Sequence, residues 1–291
     1  MAEFDLFFFY LEKEFTRLAA PYSWTELAGL AFLLLTILET GWDVITRHRT
    51  HWKETLINAF IFAGNILLDI LGLGLLFLAG LFFVEPFAFL DLKETSADSW
   101  WYWPALILLA DLTYYWMHRT EHEIRLLWAV HVVHHSSEEY NLTTAYRLSW
   151  FEGLFEWIFL VPMILLGFGT VEVLLAFIIV VQYQTWIHTE KIKRLGWLDH
   201  VFNTPSNHRV HHGSNPKYLD KNYGGILILW DRLFGTYERE QEVVRFGITE
   251  TLTTSNPLKI LTHEFVSILS DLKERKGIGA RLRAVFGPPG G

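Results

Sequence analysis

Long apolar stretches separated by short polar segments occupy much of the first 190 residues of the chain. Several of them have the 17 to 25 residues, roughly, that a helix needs to cross the hydrocarbon core of a membrane. Five such stretches are predicted to be helices, at residues 24–42, 55–89, 101–117, 150–168 and 171–187. Only Gly169 and Thr170 separate the last two, which predicts a tight helical hairpin that does not have to cross the membrane fully. The pattern therefore predicts an all-α fold, a polytopic membrane helical bundle.

The pattern changes beyond residue 188. Residues 200–250 are polar and rich in Gly, Asn and Pro, which is typical of loops and short elements. Residues 257–274 predict an amphipathic helix on the membrane surface, and residues 287–291 are predicted to be disordered. We expect three regions: membrane helices at 1–100, a histidine-rich region at 101–240 that caps the bundle, and the amphipathic helix with its tail at 241–291.

Charge distribution predicts which side of the membrane each segment faces. Placing the loop at 47–53, the stretch 118–149 and everything after residue 188 inside puts 21 of the 24 Lys and Arg residues there. The N-terminus would then lie outside, and the polar clusters would face the cytoplasm. Met1–Tyr10 is acidic and aromatic and does not resemble a signal peptide. We expect a multi-pass protein of a bacterial inner membrane.

The composition of the chain argues against several classes of function. The net charge of -8 and the lack of a basic run with interleaved aromatics argue against nucleic-acid binding. The chain has no cysteine, which excludes disulfides, thiolate zinc sites and iron–sulfur clusters. A metal would have to bind to histidine and carboxylate.

Eight of the 13 histidines fall into three compact groups. His118 and His122 are four residues apart and project from one helix face. The pattern His-x-x-His-His then occurs twice, and His188 at the end of the fifth apolar stretch is a ninth candidate ligand. The proposed metal ligands are His118, His122, His131, His134, His135, His188, His208, His211 and His212. The isolated His48, His51, His200 and His263 are predicted to be surface or capping residues.

Nine imidazoles are too many for one structural zinc, which four ligands complete. They suit two metal ions with open positions, and nitrogen ligation alone fits iron, copper, nickel or zinc. The zinc-protease pattern His-Glu-x-x-His and the esterase pattern Gly-x-Ser-x-Gly are both absent.

Polar residues near the histidines could orient them or support the fold. Asp111 lies two turns before His118 on nearly the same helix face, and Glu123 follows His122. Asp111, Glu123 and Glu138 are each predicted either to hold a ligand imidazole through its second nitrogen or to be surface carboxylates. Asn58, Asn65 and Asp69 lie within an apolar stretch. They either line a cavity or pair with another helix.

The histidine boxes His118-Arg-Thr-Glu-His122, His131-Val-Val-His134-His135 and His208-Arg-Val-His211-His212 resemble those of the fatty acid hydroxylase and sterol desaturase superfamily. Segments such as Trp230-Asp-Arg-Leu-Phe-Gly235 are especially similar to its alkylglycerol monooxygenases. The resemblance implies two iron ions, dioxygen and a lipid substrate from the bilayer. For the alkylglycerol branch it implies tetrahydrobiopterin as reductant, cleavage of a glyceryl ether, and a functional role for Glu123. Asn207 stands where that branch has another histidine, so it is included among the catalytic candidates.

Two other interpretations remain open. One is a hydroxylase or desaturase acting on sterols, acyl chains, carotenoids or lipid head groups, with an external electron-transfer protein as donor. The other is a membrane metal-binding or transport protein, which would place polar residues through several helices.

Overall fold

The computed structural model describes residues 29–46, 52–93, 99–250 and 252–290. His48, His51 and the first five residues of the span at 24–42 lie outside this part of the chain. The described residues form helices and loops, and the only extended pairing among them is a single antiparallel bridge between Phe202 and Leu227. The helices are α1 Gly29–Thr46, α2 Trp52–Ile70, α3 Leu73–Val84, α4 Tyr102–Glu123, α5 Arg125–His135, α6 Gly153–Leu165, α7 Thr170–Tyr183, α8 Pro205–His211, α9 Leu229–Phe234, α10 Pro257–Glu274 and α11 Ile278–Phe286.

The all-helical prediction is confirmed for the described residues, but the helices differ from the five predicted spans. Two helical segments are long and apolar enough to cross a membrane, Gly29–Thr46 and Thr170–Ile187. A third crossing results if the bent pair Lys53–Ile70 and Gly74–Phe87 is taken as one span. The helix α6 has 13 residues, or about 20 Å of length, against a hydrocarbon core of about 30 Å. The apolar stretch at 150–168 therefore contains a helix that is shorter than the hydrocarbon core, which agrees with a hairpin that does not fully cross.

The apolar stretch at 55–89 is divided by a bend of 52° between α2 and α3. Gly72 lies at the break with a φ of 124°, a backbone conformation that residues with a side chain rarely adopt. The stretch had been predicted as one helix. The glycine replaces this with two helices at an angle.

The main core lies between α3, α4, α6 and α7. Leu81, Leu106, Leu160 and Ala176 are fully buried in it, one from each of these helices. The helix α4 continues six residues beyond the predicted end at Met117. This extension carries His118 and His122 out of the apolar core, next to α5.

The polar residues of α2 pair with the segment that follows α5. Asn58 donates a hydrogen bond to the Thr143 hydroxyl (2.8 Å), and Asn65 donates one to the Ser149 carbonyl (3.1 Å). Asn58 also accepts a hydrogen bond from the buried Arg147. Of the two interpretations of these asparagines, pairing within the protein is the one that the structure supports.

The C-terminal helices α10 and α11 pack on α5. Asn256 caps α10 by accepting hydrogen bonds from the backbone N–H groups of Leu258 and Lys259, and Pro257 occupies the first turn. Arg125, the first residue of α5, donates to Glu264 and Asp271 of α10 and to the Ala284 carbonyl of α11. Gly287, which had been predicted to begin a disordered tail, accepts a hydrogen bond from the Arg125 backbone N–H.

Candidate metal centre

The structure brings all nine predicted histidines together in two adjacent groups, with the potential ligand atoms of each group within 4.8 Å of one another. The five-histidine group consists of His118, His122, His131, His135 and His211. The four-histidine group consists of His134, His188, His208 and His212. The groups touch, since the rings of His135 and His212 stack with centroids 4.4 Å apart. His200 and His263 belong to neither group.

Each His-x-x-His-His box contributes to both groups. On α5, the outer pair His131 and His135 belongs to the five-histidine group and the middle His134 to the four-histidine group. In the box that begins on α8, the outer pair His208 and His212 belongs to the four-histidine group, and the middle His211 belongs to the five-histidine group. The outer histidines of a box share one helix face because they are four residues apart, whereas the middle one points to the side. Each group therefore contains histidines from both boxes.

Backbone carbonyls fix the orientation of several imidazoles. Nδ1 of His118 lies 2.9 Å from the Tyr223 carbonyl oxygen, that of His188 2.7 Å from the Gln184 oxygen, and that of His211 3.0 Å from the Lys221 oxygen. A carbonyl only accepts, so each of these Nδ1 atoms carries the proton. The Nε2 atom of each neutral ring then presents a lone pair towards the centre of its group.

The inward-facing nitrogens are very close together. Nε2 of His118 lies 3.1 Å from Nε2 of His131, and Nε2 of His188 lies 2.9 Å from that of His208. Nε2 of His122 and of His211 is buried with no hydrogen-bond partner among the described residues. A bound cation would satisfy these lone pairs and relieve their repulsion, so the residues present fit a metal in each group.

Electrostatics keeps the nine imidazoles neutral, which is the form that binds a metal. Burial lowers the pKa of each ring below its ordinary value. Neighbouring imidazoles lower the pKa of most of these rings further, because a second positive charge nearby is unfavourable. For His188, burial lowers the pKa to about 4.

The buried Glu121 carboxylate lies beside an imidazole, in the position for which Glu123 had been considered. Its Oε2 lies 3.3 Å from Nδ1 of His131, and its side chain is 6% exposed. The side chain of Glu123 is 51% exposed and pairs with Arg119 at 2.7 Å. Each helical residue turns by about 100°, so Glu121 lies nearer than Glu123 to the face that carries His118 and His122. The prediction that Glu123 orients an imidazole is not supported by these contacts.

Asp111 and the buried Asp231 hold the loop behind the five-histidine group. Asp111 accepts hydrogen bonds from the backbone N–H groups of Ile226 and Leu227 and from the Trp230 indole N–H. These partners are loop groups, and the described contacts of Asp111 therefore support the loop directly and no imidazole.

Asp231 accepts hydrogen bonds from the Tyr223 and Gly224 N–H groups and from the Thr236 hydroxyl. Because the Tyr223 carbonyl contacts His118, Asp231 positions that imidazole through the backbone. Sequence reasoning missed Asp231, although it lies inside the Trp230–Gly235 segment that had been singled out for its resemblance.

The remaining candidates have structural contacts. Asn207 is buried, and its amide donates to the Asp199 and Phe202 carbonyls, which fixes the turn before α8. Glu138 is exposed and lines a polar cavity of about 410 Å³ beside Arg147, away from the imidazoles. Asp220 was not predicted, and its carboxylate lies 3.7 Å from Nδ1 of His122.

Comparisons with known proteins identify the region that carries the two groups. Residues 103–236 match the family model described as fatty acid hydroxylase. This stretch is a fatty acid hydroxylase domain. The resemblance inferred from the histidine boxes is confirmed, and all nine histidines lie inside the domain. No solved structure matches the chain.

Several curated proteins are similar to the chain. The alkylglycerol monooxygenase of Xenopus tropicalis is 44% identical over 203 residues, covering 68% of this chain and 44% of that protein. The Homo sapiens enzyme of the same name is 45% identical over 194 residues, covering 66% of this chain and 43% of that protein. The ornithine lipid hydroxylase OlsE of Rhizobium tropici is 32% identical over 133 residues, covering 45% and 40%. The chain thus spans less than half the length of these relatives.

Proposed function

We propose that the protein is a membrane-associated di-iron monooxygenase that uses dioxygen to hydroxylate a C–H bond of a lipid, with the carbon next to the ether oxygen of an alkylglycerol as the preferred position. The observation that carries the proposal is that the nine histidines form two compact, buried groups within a fatty acid hydroxylase domain. The similarity to enzymes named alkylglycerol monooxygenase supports the choice of substrate. A metal transporter is not favoured, because the nine imidazoles form two compact groups rather than a path along several helices.

The chain's own residues hold, orient and shield the reacting centre. The five-histidine and four-histidine groups would each hold one iron through inward-facing nitrogens, and the ions would supply activation of dioxygen. Tyr223, Gln184 and Lys221 carbonyls fix three of the rings, and the Glu121 carboxylate lies 3.3 Å from Nδ1 of a fourth, that of His131. Tyr140 covers the four-histidine group, since its ring lies 5.0 Å from that of His212 and stacks on Phe246 at 4.5 Å. Such covering limits access of water.

The overall reaction needs a reductant. One oxygen atom of dioxygen enters the C–H bond, and the other leaves as water after taking up two electrons and two protons. A hydroxyl group on the carbon next to an ether oxygen gives a hemiacetal, which separates into an aldehyde and glycerol. We infer a reduced pterin or an external electron-transfer protein as the electron source. The inside location of the histidine groups remains a prediction from the charge distribution, and a bacterial inner membrane remains an expectation that no finding tests.

A second candidate is hydroxylation of an amino-acid-containing or acyl lipid. The similarity to the ornithine lipid hydroxylase favours it, since that relative is 32% identical over 133 residues. Both candidates use the same centre and differ in the lipid that reaches it.

The proposal can be tested by purifying the protein without oxygen, measuring its iron and following turnover with ¹⁸O₂. We expect two irons per chain, and ¹⁸O in the fatty aldehyde product of an alkylglycerol when a reduced pterin is supplied. His211→Ala should lower both iron content and turnover, whereas His200→Ala, outside both groups and beside Arg232, should leave both unchanged. If the protein binds two irons but hydroxylates only ornithine lipid, the second candidate substrate would replace alkylglycerol. If His211→Ala retains its full iron content, the assignment of His211 as a ligand would be contradicted.

A further inference from the structure

The helices α10 and α11 expose apolar side chains on the side away from α5. Ile260, Leu261 and Ile268 of α10 are buried against the rest of the protein. Leu258, Val266 and Leu269 lie on another face of the same helix and are exposed. An amphipathic helix on a soluble surface would place polar residues there.

The short helix α11 shows the same feature more strongly. Ile278, Leu282 and Phe286 follow one another at intervals of four residues and so form one row along the helix. They are 79%, 53% and 57% exposed, respectively. Arg281 and Arg283 lie on either side of Leu282 in the sequence, and both are exposed. An exposed apolar row with flanking arginines is typical of helices that lie in a membrane interface.

The helix pair has a net positive charge, unlike the chain as a whole. Residues 257–286 contain six Lys and Arg residues and three Asp and Glu residues, whereas the whole chain has a net charge of -8. Two of the three acids, Glu264 and Asp271, bind Arg125 at the start of α5. The outward surface of the helix pair is therefore positively charged.

The position of α10 agrees with a membrane interface. Its Ile260 and Leu261 pack with Ile57 and Ile61 in the first turns of α2. The helix α2 belongs to the bent pair that could cross a membrane, so α10 lies beside the beginning of that apolar helix. Side chains at this level of a membrane protein meet lipid head groups and the upper parts of the acyl chains.

We propose that α10 and α11 form a surface that binds a membrane containing anionic lipids, with Ile278, Leu282 and Phe286 inserted among the lipids and Arg281 and Arg283 on their head groups. Anionic lipid is favoured over a second copy of this chain because the surface is basic, so two copies would bring like charges together. Arg125 ties both helices to α5, which carries three of the grouped histidines. Membrane contact would thereby set the height of the metal centre above the bilayer.

The absence of cysteine permits a site-specific test with the full-length protein in nanodiscs. Leu282→Cys and Ile278→Cys would each carry one environment-sensitive fluorophore. Val243→Cys is the matched control, because Val243 is an apolar residue that is 88% exposed in a loop outside the helix pair. Quenching would be compared between iodide in water and nitroxide-labelled lipid, in discs with and without phosphatidylglycerol.

In anionic discs, we expect labels at 282 and 278 to be quenched by the nitroxide lipid and protected from iodide, and the label at 243 to behave oppositely. Replacing Arg281 and Arg283 with Gln should lower the ratio of inserted to exposed label by about 5-fold for each arginine. Equal iodide quenching at 282 and 243 would overturn the proposal. So would insertion that is the same in neutral discs, or protection that persists in detergent together with a dimer, which would identify a second copy as the partner.

Discussion

Substitution of Glu121 tests whether this carboxylate supports the metal centre. Its Oε2 lies 3.3 Å from Nδ1 of His131, and the side chain is almost completely buried. Burial raises the pKa of Glu121, while a metal ion on the His131 ring would favour the ionised carboxylate. We expect Glu121 to fix the orientation of the imidazole and to raise its basicity towards the metal.

The size of the effect depends on what replaces the carboxylate. Glu121→Gln keeps an oxygen that can accept from Nδ1 but loses the charge, so iron affinity should fall by about 10-fold. Glu121→Ala also removes the oxygen atom that lies 3.3 Å from the buried Nδ1 of His131, and the fall should approach about 100-fold, or about 2.8 kcal/mol. Glu123→Gln is the matched control two residues away. It breaks an exposed pair with Arg119, which contributes about 0.3–0.5 kcal/mol to the helix and nothing to the metal.

The measurement is an anaerobic competition for ferrous iron between the protein and a coloured chelator, with total iron determined by mass spectrometry. Circular dichroism and thermal unfolding of each variant would show that the fold is retained. Unchanged iron affinity in Glu121→Ala, or an equal loss in Glu123→Gln, would refute the assignment of Glu121 to His131.

Three further perturbations follow from the contacts around the centre. Asp231→Asn places an amide N–H against buried N–H donors such as that of Tyr223, so it should lower the unfolding free energy by about 1–3 kcal/mol; an unchanged thermal midpoint would contradict this. In the metal-free protein, the pKa of His188 is lowered by burial to about 4, against 6.5 for a free imidazole, so the unfolded state binds more protons between these values. Stability should therefore decrease on going from pH 7 to pH 5, by about 2 kcal/mol from His188 alone, and a stability that rises on acidification would speak against neutral imidazoles. Arg125→Leu removes the shared partner of α10 and α11, so amide hydrogen exchange in both helices should accelerate, whereas exchange as slow as in the parent protein would show that Arg125 does not hold them.

The grouping of the histidines was predictable because it depends on short intervals. Residues four apart lie on one helix face whatever the tertiary structure, which places His118 beside His122 and His131 beside His135. The division of each box between two groups depends on how α5 and α8 face each other. Those helices are separated by about 70 residues of chain, and no local pattern specifies their packing.

The carboxylates show which sequence signals were available. The sequence already contains the helical positions of Glu121 and His118, because each helical residue turns by about 100°. Glu121 could therefore have been predicted in place of Glu123. Asp111 was correctly placed near the face of His118. Its partners, however, are two backbone N–H groups and the Trp230 indole, all 115 or more residues later. Their position depends on a loop fold that the sequence pattern does not specify.

Apolar length alone did not specify where the helices within the apolar stretches begin and end. Gly72 lies within the longest stretch and allows the bend between α2 and α3. The stretch at 150–168 includes Trp150 and Phe151, which precede α6. The Trp150 indole donates a hydrogen bond to the Ile61 carbonyl of α2, and the Phe151 ring packs against Phe265 of α10. Hydropathy does not distinguish such contacts within a protein from contacts with lipid.

Each of the two His-x-x-His-His boxes contributes histidines to both groups, so we predict that the two groups bind metal ions cooperatively. Since α5 and α8 each supply ligands to both positions, a displacement of either helix that empties one position also distorts the other. Partial loading should therefore yield a mixture of empty and doubly loaded molecules, with few chains carrying a single ion. Stepwise titration with metal, followed by native mass spectrometry, would display this as two populations separated by the mass of two ions.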